Sequence, residues 1–304
     1  MIQYLKHSDV DKAKWDACIR QSFNKNIYAN SWYLDVVCPS WEALIDGDYQ
    51  AVFPLTCNRK YGINYLYQPY FTQQLGVFAI DKLSIEKMNE FLNAIPSQFR
   101  FIEINLNINN AIFNKDFEVT DLPTHLLNLN QNYEAIHANY SDNLKRNISK
   151  AMKRNLEVVK DVNTDDLINL FRSNKGKEVA NLKDEHYTTF KQLTKAIQEY
   201  ATLNCWGIHN DKGELMAAAI FPEFNQQAVF LFSGLSEAGK AMGAMPFLIN
   251  SFIKEHSGQH LVLDFEGSKD TNLARFYKSF DSTEFLYPQI KRNTLPAPIK
   301  WIKR

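Results

Sequence analysis

Two distant stretches of this chain follow one plan, and that repetition constrains the fold more than any single motif does. Trp41–Leu55 reads WEALIDGDYQAVFPL and Trp206–Pro222 reads WGIHNDKGELMAAAIFP. Each runs from a Trp through a short strand to an Asp/Gly turn, then along an apolar strand to Phe-Pro. The turns, Asp46-Gly47 and Asn210-Asp211-Lys212-Gly213, carry hairpin chemistry because Gly and Asn tolerate positive φ. The likeness continues downstream. The first half offers the aromatic strands INYLYQPYF and QQLGVF, a helix with Met88, Phe91, Leu92 and Ile95 on one face, and the strand FRFIEINLN. The second offers AVFLFSGL, a helix with Met245, Leu248, Ile249, Phe252 and Ile253 on one face, and LVLDF. This hairpin–strand–helix–strand order, met twice, predicts two mixed α/β domains built on one plan, as a duplication would leave them.

A chain of 304 residues has room for both. The predicted boundary falls in QNYEAIHANYSDN, between the strand HLLNL and a new helix LKRNISKAMKRN, giving domains of residues 1–132 and 133–304. A longer helical region is predicted from Thr164 to Tyr200. Apolar residues make up 45% of the chain and charged residues 22%, enough for a core in each half and a composition opposed to disorder. Lys plus Arg equals Asp plus Glu at 34 each, so a general nucleic-acid binder is disfavoured and affinity for tRNA or DNA would need a local patch. The cysteines Cys18, Cys38, Cys57 and Cys205 form no C-x-x-C pair. The polar opening MIQYLKHSDVDKAKWD does not read as a secretory signal, and no apolar run approaches the roughly 18 residues of a membrane span. Free, buried thiols in a cytoplasmic protein are the expectation.

The candidate site lies between Ala228 and Arg292. A strand feeds a small-residue loop, Gly239, Lys240, Ala241, Met242, Gly243 and Ala244, and Pro246 suits the first turn of the helix that follows. Backbone N–H groups at such a helix start, with the positive end of its dipole and the Lys240 ammonium, suit a pyrophosphate. A plain surface turn explains the same residues, although a strand before and an acidic strand after argue for the first reading. In LVLDFEGS, alternation places Val262, Asp264 and Glu266 on one face. Carboxylates ending a buried-type strand predict an opening into a cleft. Asn272 is read as the cap of a short helix with the apolar stripe Leu273, Phe276, Tyr277 and Phe280.

N-L-A-R-F-Y-K-S-F resembles the last helix of the GNAT acyltransferase superfamily. The resemblance implies that Tyr277 lies near the coenzyme A sulfur and Asn272 near the pantetheine arm. The GNAT phosphate loop, Gln/Arg-x-x-Gly-x-Gly/Ala, is approached by Lys240-Ala241-Met242-Gly243-Ala244-Met245, with Lys first and Met last. A second resemblance covers roughly Leu126 to Pro296. YSDNLKRNISKAMKRNLEV, SGL at Ser233 to Leu235, LDFEGS and FYKSF are similar to the Fem-like branch, whose members carry two GNAT-like domains in tandem. That branch moves an amino acid from aminoacyl-tRNA to a peptidoglycan precursor, often with a long helical arm. No coiled-coil heptads are present here.

The resemblance therefore implies an α/β fold of two tandem GNAT-like domains. It also implies an N-acyltransferase taking an acyl group from acetyl-CoA or another acyl-CoA to a small-molecule or peptide amine in a cleft between domains. Acyl transfer needs a base, donors for the oxyanion and help for the leaving thiolate. The candidates are Glu266 as base with Asp264 as alternative, the backbone near Ser233-Gly234 for the oxyanion, with Leu235 beside them in the donor site, and Tyr277 for the thiolate. Ordinary pKa values of about 10 for Tyr and about 8.5 for a thiol make full proton transfer uphill by roughly 2 kcal/mol, so Tyr277 reads as a hydrogen-bond donor. Tyr277 as a core tyrosine and Glu266 as a structural pair are the competing readings.

Lys145, Arg146, Lys150, Lys153 and Arg154 cluster on one predicted helix, as a solvated face or as a contact for an anionic acceptor or RNA. NYLYQPYFTQQLG mixes aromatic rings with amides, as a half-buried strand pair or an acceptor groove would. The seven histidines show no metal spacing, and neither a G-x-S-x-G elbow nor a Walker loop is present. No metal is expected. Aminoacyl transfer from charged tRNA to a cell-wall peptide precursor, and a non-catalytic binder with a degenerate donor site, stand as the rival functions.

Overall fold

The computed structural model describes residues 1–177, 179, 182–267 and 270–296. Two compact units emerge, Met1–Leu122 joined by the segment from Leu286, and Pro123–Phe285. The elements of the first run β1 Ile2–Leu5, α1 Lys12–Gln21, α2 Ser31–Val37, β2 Glu42–Asp46, β3 Ala51–Leu55, β4 Cys57–Lys60, β5 Ile63–Tyr67, β6 Phe78–Ala79, α3 Ile85–Asn93 and β7 Phe99–Asn105. β8, Glu118–Asn128, carries the chain into the second unit. There follow α4 Tyr133–Ala138, α5 Asp142–Met152, β9 Glu157–Val159, α6 Thr164–Ser173, α7 Asp184–Tyr200, β10 Thr202–His209, β11 Leu215–Phe224, β12 Gln227–Val229, β13 Phe232–Leu235, α8 Glu237–Met242, α9 Ala244–His256, β14 Val262–Asp264 and α10 Thr271–Lys278. β15, Thr283–Asn293, returns the chain to the first unit.

The repeated plan of the sequence is the plan of the two units. In the first, β2 and β3 form the hairpin, with Glu42 opposite Leu55 and Asp46 opposite Ala51. Gly47 turns the chain at φ +59°. β5 and β7 then run parallel, joined through α3. Ser84 caps α3 by accepting from the Lys87 N–H at 3.2 Å, and Met88, Phe91 and Leu92 bury the predicted face against Leu66, Ile102 and Ile104. In the second unit, β10 and β11 form the hairpin, its turn tied by Asn210 Oδ1, which accepts from the N–H of Lys212 at 3.0 Å and of Glu214 at 2.9 Å. β12 and β14 run parallel, joined through α9. Phe252 of α9 stacks on Phe221 of β11 with ring centroids 4.1 Å apart and planes 10° apart, and Trp206 meets it edge-on at 5.4 Å.

The division differs from the expected boundary at 132/133. Residues 123–132 pack with the second unit, and the segment from Leu286 packs with the first. QNYEAIHANYSDN lies within the second unit. Asn132 caps α4 by accepting from the Ala135 N–H at 2.9 Å, and Ile136 and Tyr140 sit in the second unit's core. The reason for the difference is an exchange of strands. β8, which follows β7 in sequence, pairs antiparallel with β14 through Leu126, Leu127 and Asn128. β15, which follows β14 and α10, pairs antiparallel with β7 through Gln289 to Asn293.

Candidate active site

The site begins where two parallel strands part. β12 pairs with β14 through Gln227–Val262, Ala228–Leu263 and Val229–Asp264, and Phe230 N–H then donates to the Asp264 carbonyl at 2.8 Å. There the expected continuous strand AVFLFSGL breaks. Leu231 N–H turns to the carbonyls of Val229 (2.9 Å) and Ile220 (3.1 Å), an irregularity that re-aims the chain. Beyond it β13 pairs with β11, while Phe265 N–H crosses to the His125 carbonyl of β8 at 2.9 Å. One strand leaves with each neighbour, and a wedge opens between them.

Ser236 N–H bonds the Met216 carbonyl at 3.0 Å, so strand alternation turns the Gly234 N–H toward β11 and those of Ser233 and Leu235 away from it. Ser233 and Leu235 line a crevice of about 810 Å³ in the second unit. Gly234 serves packing instead: a Cβ there would lie 3.0 Å from the Phe171 backbone nitrogen, because α6 crosses closely over β13.

The expected glycine loop is mostly helix. Ser236 caps α8 by accepting from the Gly239 N–H at 2.9 Å, and Gly239, Lys240 and Ala241 lie inside that helix. Gly239 is required by contact, since a Cβ would sit 2.2 Å from the Met216 carbonyl oxygen. Gly243, at φ +76°, is the left-handed joint between α8 and α9, and Ala244, ahead of Pro246, begins α9. The Pro ring therefore sits in the first turn, where no N–H is missed. Lys240, Ala241, Gly243, Met245 and Pro246 all border the crevice, so the start of α9 faces it.

Charge gathers at the same mouth. Lys150 of α5, Arg154 in the turn after it, Lys175 and Lys177 beyond α6, and Lys240 line the crevice, against one carboxylate among the described residues, Glu237. Arg154 Nη1 also donates to the Ala241 carbonyl at 2.6 Å, tying the turn after α5 to α8. In a chain with as many acidic as basic residues this is a local concentration of cations. A unit anion about 4 Å from one of them gains roughly 1 kcal/mol in bulk water and roughly 4 kcal/mol near a protein surface, so several together decide the sign of the ligand. Sequence reasoning put Lys150 and Arg154 on a basic helix, as a solvated face or an anion contact, and did not single out Phe171, Ser173, Asn174, Lys175 and Lys177. Their only signal was a basic run, NKGK, at the end of an apolar helix.

The inner wall is apolar, with Phe230, Leu273, Phe276 and Tyr277. Tyr277 is 5% exposed, stacked on Phe265 at 5.0 Å and edge-on to Phe230 at 6.3 Å. Burial pushes its phenol well above the usual range, with the charges of Glu266 and Asp264 adding to the effect. Asp264 is buried away from the crevice, accepting from Thr124 Oγ1 (2.9 Å), the Glu266 N–H (2.8 Å) and Gln227 Nε2 (3.3 Å). Burial raises its carboxyl to about 6 against the pull of those donors. Its geometry is that of a turn anchor: it holds Glu266 at φ +54°, and the predicted alternation ends there. Glu266 is partly buried and lies outside the crevice lining. Asn272 is exposed; Asp270 takes the cap, accepting from the N–H groups of Asn272 (2.8 Å) and Leu273 (3.4 Å). The structure thus brings Ser233, Leu235, Lys240, Ala241, Gly243 and Tyr277 to one crevice and leaves Gly234, Gly239, Ala244, Asp264, Glu266 and Asn272 outside its lining.

No family model matches the sequence, and no curated protein does. Solved structures match in fold. FemX superposes with a TM-score of 0.69 at 13% identity, covering 99% of this chain and 99% of that one. The chain has a tandem GNAT-like fold. A conserved protein of unknown function from Bacteroides thetaiotaomicron VPI-5482 matches with a TM-score of 0.62 at 11% identity, covering 96% and 99%. L-PGS from Bacillus licheniformis matches at 0.54 and 11%, covering 96% and 95%. The Fem-like resemblance of the second half thus extends, as fold, to the whole chain. No helix among the described residues is long and apolar enough to cross a membrane, and none of their acidic, His and Cys side chains form a group able to hold a metal ion.

Proposed function

We propose that the chain is an N-acyltransferase that holds acyl-CoA in the crevice of the second unit and passes the acyl group to an amine. The observation that carries this reading is the parting of β13 from β14. It bares two strand amides between a cationic mouth and an aromatic inner wall, a shape suited to a ligand with phosphates at one end and a thioester at the other. The N–H groups of Ser233 and Leu235 hold the donor and meet the developing oxyanion. Lys240, Arg154 and the first turn of α9 take the phosphates. As the amine's C–N bond forms and the C–S bond breaks, Glu266 receives the amine proton, directly or through water, and Tyr277 donates a hydrogen bond to the departing sulfur. Asp264, occupied by three donors, holds the strand end that carries Glu266. Thermal unfolding with coenzyme A tests the reading: a rise in Tm that Lys240→Ala and Arg154→Ala reduce supports it, and no rise at millimolar coenzyme A ends it.

A second reading, aminoacyl transfer from charged tRNA to a cell-wall peptide, is favoured by the full-length likeness to FemX. Charged tRNA that binds with a steep salt dependence, where coenzyme A gives no protection, selects it.

A further inference from the structure

Behind Tyr277 lies a histidine that neither the crevice nor the sequence reading uses. His125 of β8 has no exposed surface, and neither ring nitrogen reaches a hydrogen-bond partner among the described residues. A buried polar group left unpaired costs about 1–3 kcal/mol, so most core histidines are paired, and this one asks for a reason. Its ring centroid is 5.8 Å from that of Tyr277. Its Nε2 lies 3.5 Å from Glu284 Oε2, beyond hydrogen-bond distance but close enough for the carboxylate to swing in. Glu284, 38% exposed, connects the imidazole to solvent and pairs with Lys278 Nζ at 2.8 Å. The charged and titratable groups facing this pocket are Glu284 of β15, Lys278 and Tyr277 of α10, and, past the tyrosine, Asp264 and Glu266 at the end of β14.

Tyr277 by itself is a poor acid, and burial makes it poorer, so a thiolate leaving beside it stays unprotonated unless a second donor stands behind the phenol. We infer that His125 is a proton-relay and positioning residue for the transfer: its imidazolium, unpaired in the resting structure, closes on the Tyr277 hydroxyl as charge develops on the leaving sulfur and donates through it. This rests on the transferase reading above. In the relay the Tyr277 proton goes to sulfur while the His125 proton replaces it on the phenol oxygen, so no free phenolate forms. The neutral imidazole is recharged from solvent by way of Glu284, and the amine proton leaves by way of Glu266, which balances the step. Burial and Lys278 hold the imidazole below its usual range and Glu284 opposes them, so the charged donor is abundant only on the acid side.

Thiol release from acetyl-CoA, followed against pH, tests the relay; water replaces the amine, but the leaving sulfur is the same. His125→Asn is expected to lower kcat about tenfold and to remove the loss of rate on the alkaline side. The double variant His125→Asn, Tyr277→Phe should be no slower than Tyr277→Phe alone. An unchanged pH profile, or losses that multiply, overturns the relay. If wild-type chain releases no thiol, the acyl-CoA reading has failed and ring NMR of His125 decides the relay by itself. A His125 pKa lowered by Glu284→Gln and moved by Tyr277→Phe upholds the coupling; a pKa indifferent to both overturns it. Where His125→Asn does not fold, Glu284→Gln carries the same kinetic test.

Discussion

The two units meet the same problem, parallel strands that separate past their last shared rungs, and solve it oppositely. In the second unit the wedge between β13 and β14 stays a crevice. In the first, the corresponding place beyond β5 and β7 is closed by side-chain amides. Gln68 Oε1 accepts from the Asn105 N–H at 2.9 Å, Asn105 Nδ2 donates to the Gln73 carbonyl at 2.9 Å, and Asn107 Nδ2 donates to the Leu75 carbonyl at 3.1 Å. Asn110 completes the closure, its Oδ1 taking the Val77 N–H at 2.9 Å and its Nδ2 donating to the Val77 carbonyl at 3.0 Å. Gly76, at φ +95°, permits that approach, since a Cβ would meet Asn110 Oδ1 at 2.1 Å. One plan gives a ligand-sized opening or a sealed joint, according to whether carboxamides or small strand residues stand at the parting. The glutamines of NYLYQPYFTQQLG, open in the sequence to a reading as an acceptor groove, are used for this sealing.

The contrast can be broken from either side. The largest expected effect is Phe252→Ala, which removes the stacked ring seating α9 on β11: a loss of about 3–5 kcal/mol by chemical denaturation, with any coenzyme A protection lost alongside. Asn110→Ala attacks the sealed joint and strands the Val77 N–H, while the Val77 carbonyl keeps Asn24 Nδ2 at 2.8 Å. It should cost about 1–3 kcal/mol in the same measurement, while coenzyme A protection of the second unit persists. Lys240→Ala leaves stability within about 0.5 kcal/mol and weakens coenzyme A binding several-fold by calorimetry, less so as salt rises.

The smallest effect is one of pH. Burial pulls the His256 imidazole down, but bonds to Glu223 Oε1 (3.1 Å) and the Phe252 carbonyl (2.9 Å), together with the charges of Glu223 and Glu255, outweigh it and leave its pKa raised. With the folded value above the unfolded one, the stabilisation is full below about pH 6.5 and fades as pH rises through the raised value. Tm should therefore fall as pH rises above about 6.5, and Glu223→Gln should flatten that slope.

The parts legible in the sequence are those fixed by local pattern. The two Asp/Gly hairpins and the apolar faces of α3 and α9 follow from turn chemistry and period, and they stand where the pattern puts them. The strand exchange was not legible, because HLLNL reads as the same strand whichever neighbour it pairs with. Gly239 shows why the crevice was only partly readable. A glycine beside a lysine announces close approach, but only the fold shows that what approaches is the Met216 carbonyl and not a ligand. Asp264 was misplaced for a similar reason: alternation presumes that a strand continues, and this one stops at Asp264, two residues before the left-handed Glu266. The place of Tyr277 on the crevice wall was readable because its helix stripe and that wall coincide.

The crossed pairing of β8 and β15 sets a timetable for synthesis. The first unit lacks its partner for β7 until residues made after all of the second unit have emerged, whereas β8 is already waiting when β14 appears. The half translated later is thus the half able to close earlier.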